Sequence, residues 1–590
     1  MRNFRTLKEY FIKYKWYFLC GFFALVIVNV LQLFIPRIIK YAIDDITRGG
    51  KDILQYTHAN LVKYALWIVG LACVITGFRF FWRYFIIGVS RKIEEALRNR
   101  LFSHLQILGL GFFRNHRIGD LMAHFTNDID AVRRTLGEGT IMIIDILVLG
   151  SLSFVFMLLI SVKLTLYAII PLPLISLVTW RFAKLIHKRF GDVQASFSSL
   201  TASVRESIEG IRVIRAYNQH KGELDKFKET SQDYVDKNIK LLKVWSSFSP
   251  FIFFLANLTI CIVLWYGGKE TILKQISLGD FVAFQTYLGI LIWPIIAIGM
   301  VINLIQRGAV SMGRINKLLD TAPEIVDTAP EMCRLKPLLQ PDESKEWEIN
   351  GELEFRGVSF SYNGTEVLKN INLSVKQGES LGLAGTIGSG KSTLVSLIPR
   401  LFDPTNGEIR LDGMPIKEIP LSTLRRSIGF VPQDSFLLSD TIRANITFGR
   451  SEVSDSELDR VAKLASIYDE IMQFPDKFDE RVGERGVTLS GGQCQRIAIA
   501  RAIIVNPKIL VVDNALSSVD IEKEVQILNN LQTEFADRVL IIISHRMRSL
   551  AGLSSIVILD QGKIIEKGTH EELLLLGGTY FNLFRCQELK

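Results

Sequence analysis

Residues 385–392 read GTIGSGKS, and this stretch decides the fold of the second half of the chain. It fits the phosphate-loop pattern G-x-x-x-x-G-K-[ST]. The apolar run Leu381–Ala384 before it predicts a strand, and Thr393–Leu401 after it predicts a helix. The motif requires that context, because backbone N–H groups of a glycine-rich turn and a helix N-terminus wrap phosphate oxygens. Gly385, Thr386, Gly388, Ser389, Gly390 and Thr393 are therefore candidate nucleotide contacts. Lys391 is placed to reach the β- and γ-phosphates and Ser392 to ligate Mg²⁺.

Two further motifs lie downstream. Lys508–Asn514, KILVVDN, is an apolar run ending in an acid. It predicts a strand with Asp513 at its C-terminus, where a carboxylate helps hold Mg²⁺. Leu489–Gln493, LSGGQ, precedes the Arg- and Ala-rich helical run Arg496–Ile504. Ser490, Gly491 and Gly492 at a helix start make a second anion-binding nest. One chain thus carries two phosphate cradles, an arrangement suited to a nucleoside triphosphate shared between two such domains.

The first half differs in kind. Of the 590 residues 48% are hydrophobic, and the long apolar runs fall almost entirely before residue 310. Spans are expected at 16–35, 61–88, 140–160, 164–180, 250–268 and 281–305, since about twenty residues cross the hydrocarbon layer. The long loops 89–138 and 181–249 carry eight and thirteen Lys/Arg. Positive charge collects on the cytoplasmic side, so these loops, both termini and the nucleotide half are expected there. The net charge of +9 is read the same way, not as a nucleic-acid surface. Both loops keep helical spacing (Ile93, Leu97, Leu101, Leu105; Val204, Ile208, Ile211, Ile214). The membrane helices are therefore expected to run far beyond the bilayer, turn through short crosswise helices and return.

Smaller features complete the outline. Residues 1–15 are basic, with Phe4, Leu7, Phe11 and Ile12 on one helical face, and are expected to form an interfacial elbow. Asp145 is costly inside a span. It reads either as a contact for cationic cargo or as the partner of Arg79 or Arg83. Pro171, Pro173 and Pro294 are candidate kinks. Phe281, Phe284, Tyr287 and Trp293 either line a cavity or pack. Residues 311–350, with Pro323, Pro330, Pro337 and Pro341, are expected to be a mostly irregular linker to a nucleotide-binding domain at 351–590. The six cysteines are scattered and indicate neither a zinc site nor a disulfide framework.

Taken in order, these motifs make the chain resemble an ATP-binding-cassette exporter half-transporter over nearly its whole length. The resemblance implies an all-α membrane domain of six helices (16–310) with long cytoplasmic extensions, fused to an α/β P-loop nucleotide-binding domain. It implies that Tyr362 stacks on adenine and that Gln433 in FVPQD senses Mg²⁺. It also implies that Asp520 in SSVD is the D-loop aspartate and that His545 in IISHR contacts the γ-phosphate. Leu489, Ser490, Gly491, Gly492 and Gln493 become the signature that meets a partner's ATP. GERGVTLSGGQ resembles the exporter-type segment beside the cytoplasmic loops, and segments near 113–121 and 211–218 become coupling helices. ATP and Mg²⁺ are the implied cofactors. Membrane lipids and an amphiphilic drug, lipid or peptide cargo are the implied partners.

One residue departs from the pattern. The family's usual glutamate after the strand-ending aspartate, which polarises the attacking water, is Asn514 here. Positioned general-base catalysis contributes roughly 10²–10⁴ in rate, about 3–5 kcal/mol of barrier. A carboxamide cannot supply it. An intact signature beside this loss resembles the degenerate-site subunit of heterodimeric bacterial multidrug exporters, whose partner half-transporter keeps the glutamate. A homodimer hydrolysing slowly through His545, and a regulatory or channel-like subunit, are the alternatives. Cys494, where the family often has Lys or Arg, is expected to be neutral. Soluble chromosome-maintenance ATPases lack six apolar spans. Importers of the superfamily keep their membrane and nucleotide parts on separate chains.

Overall fold

A computed structural model describes residues 2–48, 54–327, 349–450, 452–483 and 489–588. The chain divides into two compact units. One is Met1–Gln106 with Arg117–Thr321; the other is Ile107–His116 with Ala322–Lys590.

The first unit is helical. Among the described residues, five stretches are long and apolar enough to cross a membrane: Lys15–Thr47, Asn60–Ile107, Ile118–Ile160, His220–Ile272 and Leu278–Leu319. The expected crossing at 164–180 is divided between the helices Val162–Ile169 and Pro171–Glu209. Pro171 has no N–H with which to continue the first helix, and its fixed φ suits it to open the second. His220–Ile272 has 53 residues, about 80 Å at 1.5 Å per residue, against a hydrocarbon layer of about 30 Å. The helices do outrun a bilayer. Short helices mark the expected turning points: Leu110–Asn115 and Ile118–Ala123, parted at His116, and Ile211–Ala216.

Side-chain contacts revise several sequence expectations in this unit. The N-terminal segment packs against the last long helix. Leu7 is fully buried, Asn3 donates to the Ala309 carbonyl at 2.8 Å, and Thr6 donates to Asn316 at 2.9 Å. The last long helix, Leu278–Leu319, occupies the first nine residues expected for the linker. Residues 328–348 of that linker lie outside the described residues. Phe284 and Tyr287 pack rather than line a cavity. Both are buried; Tyr287 stacks on Phe156 at 5.4 Å and donates to the Leu33 carbonyl at 2.8 Å. Asp145 makes no ion pair with Arg79 or Arg83 among the described contacts; its Oδ1 accepts from Asn29 Nδ2 at 2.9 Å.

The second unit holds two sheets. The strands are β1 (Leu353–Tyr362), β2 (Thr365–Val375), β3 (Ser380–Gly385), β4 (Asn406–Leu411), β5 (Met414–Pro415), β6 (Ile428–Val431), β7 (Ile509–Asp513), β8 (Val539–Ile543), β9 (Ser555–Asp560) and β10 (Lys563–Gly568). An antiparallel sheet runs β2-β1-β4-β5, and the second runs β10-β9-β3-β8-β7-β6. In the second sheet β9, β3, β8, β7 and β6 are mutually parallel, and only β10 is antiparallel. Successive residues of these strands feed opposite cores. Leu510 and Val512 join one cluster while Ile509 and Val511 join the other, as Leu540 and Ile542 oppose Val539 and Ile541. Burial on both faces is why these strands read as unbroken apolar runs.

Candidate active site

The parallel sheet gathers the motifs at one edge. β3 ends at Gly385, β7 at Asp513 and β8 at Ile543, and Asp513 pairs with Ile543. His545 lies two residues beyond β8 and Gln433 two beyond β6. Ligands of open parallel sheets bind outside these carboxyl ends.

The loop after β3 takes the expected form. Gly385, Gly388 and Gly390 have φ of 139°, 83° and 101°, values that L side chains rarely adopt. At Gly390 a Cβ would also stand 2.8 Å from the Leu368 side chain. Lys391 opens the next helix, Lys391–Ser396, and its Nζ donates to the carbonyls of Gly385 (3.0 Å) and Thr386 (2.8 Å). Burial pushes the Lys391 ammonium below its usual range, against the pull of Asp513. Thr386 donates to Asp560 at 2.9 Å. Thr393 lies in the same helix, half-buried.

Ser392 Oγ donates to Asp513 Oδ1 at 3.0 Å. Two hard oxygen donors from different elements thus meet at one point, which fits Mg²⁺ held by few protein ligands and by substrate phosphates. Burial raises the Asp513 carboxyl, while Ser392 and Lys391 draw it down. Gln433 is exposed in the loop after β6. Burial, then the charge of Lys391, lowers the His545 imidazole, which favours its neutral form.

Asn514 has a φ of 48° and donates its backbone N–H to the Ile543 carbonyl at 2.9 Å. It lines a cavity of about 110 Å³ with His545, Arg546 and one carboxylate, Glu524. That carboxylate is fully engaged. Arg546 donates to its Oε2, and Ser549 donates to its Oε1 at 2.5 Å. Glu524 itself is 2% exposed.

Tyr362, at the end of β1, meets Phe360 and Phe402 edge-on at 4.7 and 5.4 Å. The guanidinium of Arg114 covers its ring.

The signature forms a separate cluster. Ser490 caps the helix Gly491–Ile504 through a reciprocal capping box with Gln493 (3.2 and 2.8 Å), so the helix begins five residues before the expected Arg496. Leu489 packs against the core from the preceding residue. A Cβ on Gly492 would stand 2.8 Å from the Ser518 carbonyl, so the SSVD loop lies directly against the signature. Gln495 Oε1 accepts from Ser518 N at 3.0 Å. Asp520 is exposed at the start of the helix Ile521–Glu534. Residues 484–488 of the GERGVT segment lie outside the described residues.

Sequence reading missed the network behind the signature. Glu470 accepts both arms of Arg496 at 2.8 Å, Gln493 at 3.0 Å and Lys523 at 2.5 Å. Burial works against its charge, but these donors outweigh it and bring the carboxyl down to about 2. The available signal was Gln495 and Arg496, two polar residues on an otherwise buried Ala/Ile helix, since buried polar groups need partners.

A family profile described as ABC transporter transmembrane region matches residues 18–295, and one described as ABC transporter matches residues 368–517. The chain belongs to the ABC transporter family. This ABC transporter is 36% identical to the probable multidrug resistance ABC transporter ATP-binding/permease protein YheI of Bacillus subtilis (strain 168), over 99% of this chain and 96% of that protein. It is 35% identical to the multidrug resistance-like ATP-binding protein MdlA of Escherichia coli (strain K12), covering 100% and 97%. It is 33% identical to an ATP-dependent lipid A-core flippase of Syntrophus aciditrophicus (strain SB), covering 96% and 91%. A solved bacterial Atm1-family ABC exporter with ATP bound matches at a TM-score of 0.77 and 26% identity, covering 97% of this chain and 98% of that one.

Proposed function

We propose that this ABC exporter chain is the subunit that binds ATP but cleaves it poorly, and that its signature completes a working site on a partner half-transporter carrying the glutamate. One observation carries the reading. The one carboxylate lining the cavity with Asn514 is Glu524, and Arg546 and Ser549 donate to it. Among the described residues lining that cavity, His545 is the other group able to take a proton, and burial favours its neutral form.

In this reading Lys391 and the glycine loop hold the phosphates, Tyr362 stacks on the base, and Ser392, Asp513 and Gln433 hold Mg²⁺. Mg²⁺ held by these three residues would supply positive charge to offset that of the phosphates. Asn514 retains a hydrogen bond to water but takes no proton. Closure of two nucleotide domains on ATP, transmitted through the segments near 113–121 and 211–218, turns the membrane cavity outward. Cleavage at the partner's site resets it. The names of the relatives, multidrug resistance proteins and a lipid A-core flippase, favour an amphiphilic drug-like or lipid-like cargo. In this reading the chain sits in the cell membrane, with the nucleotide domain and both termini cytoplasmic, as the basic long loops favour.

ATP turnover by the purified chain tests this. Near-background turnover is expected from the chain alone, with binding intact, and addition of the partner restores it. Asn514→Glu raises turnover of the lone chain if it pairs with itself. Robust turnover by the unmodified homodimer overturns the subunit assignment.

A further inference from the structure

The first unit contains a cleft of about 640 Å³ whose wall is unusual for a membrane-depth cavity. Apolar surface comes from Leu25, Leu149 and Ile290 and from two tryptophans, Trp82 and Trp293. Among these stand Arg79, Arg83 and one acid, Asp145. The site lies at bilayer depth: Asn29, which bonds Asp145, is about 21 Å along its helix from Lys15 at 1.5 Å per residue.

The charges do not cancel. Asp145 gives one oxygen to Asn29 and approaches neither guanidinium within ion-pair distance among the described contacts. Arg79 and Arg83 are both exposed on the cleft side of the helix. Even if the field of Asp145 is credited wholly to Arg79, one cation remains. A charge at a span centre costs roughly 2.5–3.5 kcal/mol on insertion scales, so ionisable groups there mark a ligand path or a partner. Gln32 and Thr286 add polar atoms to the same wall. Guanidinium forks match phosphate and carboxylate oxygens two at a time. The tryptophans and aliphatic residues match an acyl or aryl body.

We infer that this cleft selects anionic amphiphiles, molecules with a phosphate or carboxylate head on an apolar body, with Arg83 and Arg79 as the head-group ligands. This rests on the export reading and reverses the cationic cargo that Asp145 alone brings to mind.

The test uses the full chain in neutral-lipid nanodiscs and three twelve-carbon probes: dodecyl phosphate, dodecyltrimethylammonium and dodecyl maltoside. Quenching of tryptophan fluorescence by brominated versions of each reports binding at the cleft. Dodecyl phosphate is expected to bind at least tenfold more tightly than dodecyltrimethylammonium, with the gap shrinking as salt rises. The pair Arg79→Gln and Arg83→Gln removes the preference, whereas Arg79→Lys and Arg83→Lys keep most of it. Binding of ATP to each variant serves as the folding control. Equal or reversed preference in the unmodified chain, or a preference unchanged in the double Gln variant, overturns the inference and leaves the exporter reading standing. Failure of all three probes to bind, with ATP binding intact, overturns the amphiphile-cargo reading and this inference together.

Discussion

The guanidinium carbon of Arg114 lies 4.1 Å from the ring centroid of Tyr362. Arg114 belongs to the short helix Leu110–Asn115, which groups with the nucleotide half although it stands 200 residues upstream in a loop between membrane helices. A cation over an aromatic face is worth about 0.5–1 kcal/mol at exposed sites. Phe360 and Phe402 meet the ring at near-right angles, so the ring is held from several sides. Arg114→Ala is expected to weaken ATP binding about two- to fivefold, and Tyr362→Ala about tenfold. Equilibrium nucleotide binding measures both.

Glu470 is the hub behind the signature, and its substitution is expected to be costly. Removing it takes the carboxylate from Arg496, whose side chain is 6% exposed and then keeps only the Gly492 and Ser466 carbonyls. Fully buried pairs lose about 3–5 kcal/mol on such a break; here, with Glu470 partly exposed, Glu470→Ala is expected to cost about 2–3 kcal/mol. Its carboxyl sits near 2 in the folded chain against an ordinary 4.5. The unfolded chain therefore binds the proton first on acidification. The contribution is complete above about pH 4.5 and is lost as pH falls toward 2. Thermal unfolding of the nucleotide half between pH 5 and 3 should fall steeply, and Glu470→Gln should flatten that fall.

Gly492 admits no side chain without moving the SSVD loop. Gly492→Ala should leave ATP binding at the chain's own phosphate loop unchanged while lowering turnover of the assembled transporter by tenfold or more. Parallel binding and turnover assays separate the two effects. Unchanged turnover would dissociate the signature from catalysis.

Cys494 is half-buried within the core behind the signature, and burial raises its thiol above the usual range. Less thiolate means slower alkylation. At pH 7.5 the exposed Cys586 should react with iodoacetamide well before Cys494, as peptide mapping would show. Cys494→Ala should change ATP binding by less than twofold.

Much of this protein is written locally. GTIGSGKS determines its own turn because glycines at positive φ and a helix start are short-range properties. The fully apolar strands around Asp513 and Ile543 follow from burial on both faces. The long extramembrane helices follow from spacing in 89–138 and 181–249. Other features depended on neighbours remote in sequence. The run expected to cross at 164–180 breaks at Pro171. Leu7 is buried through contacts three hundred residues away. Phe284 and Tyr287 are core because Phe156 and Leu33 meet them.

Local pattern is enough to read that the chain holds nucleotide and spans a membrane, and that Asn514 stands where a base is usual. Packing of distant segments is what occupies Glu524, ties the signature to Lys523 through Glu470, and turns Asp145 to Asn29 with Arg79 and Arg83 facing a cleft. Turns, helices and strands follow backbone and burial preferences that extend over a few residues. Which charge meets which depends on where separate helices bring their side chains, and no local pattern records that.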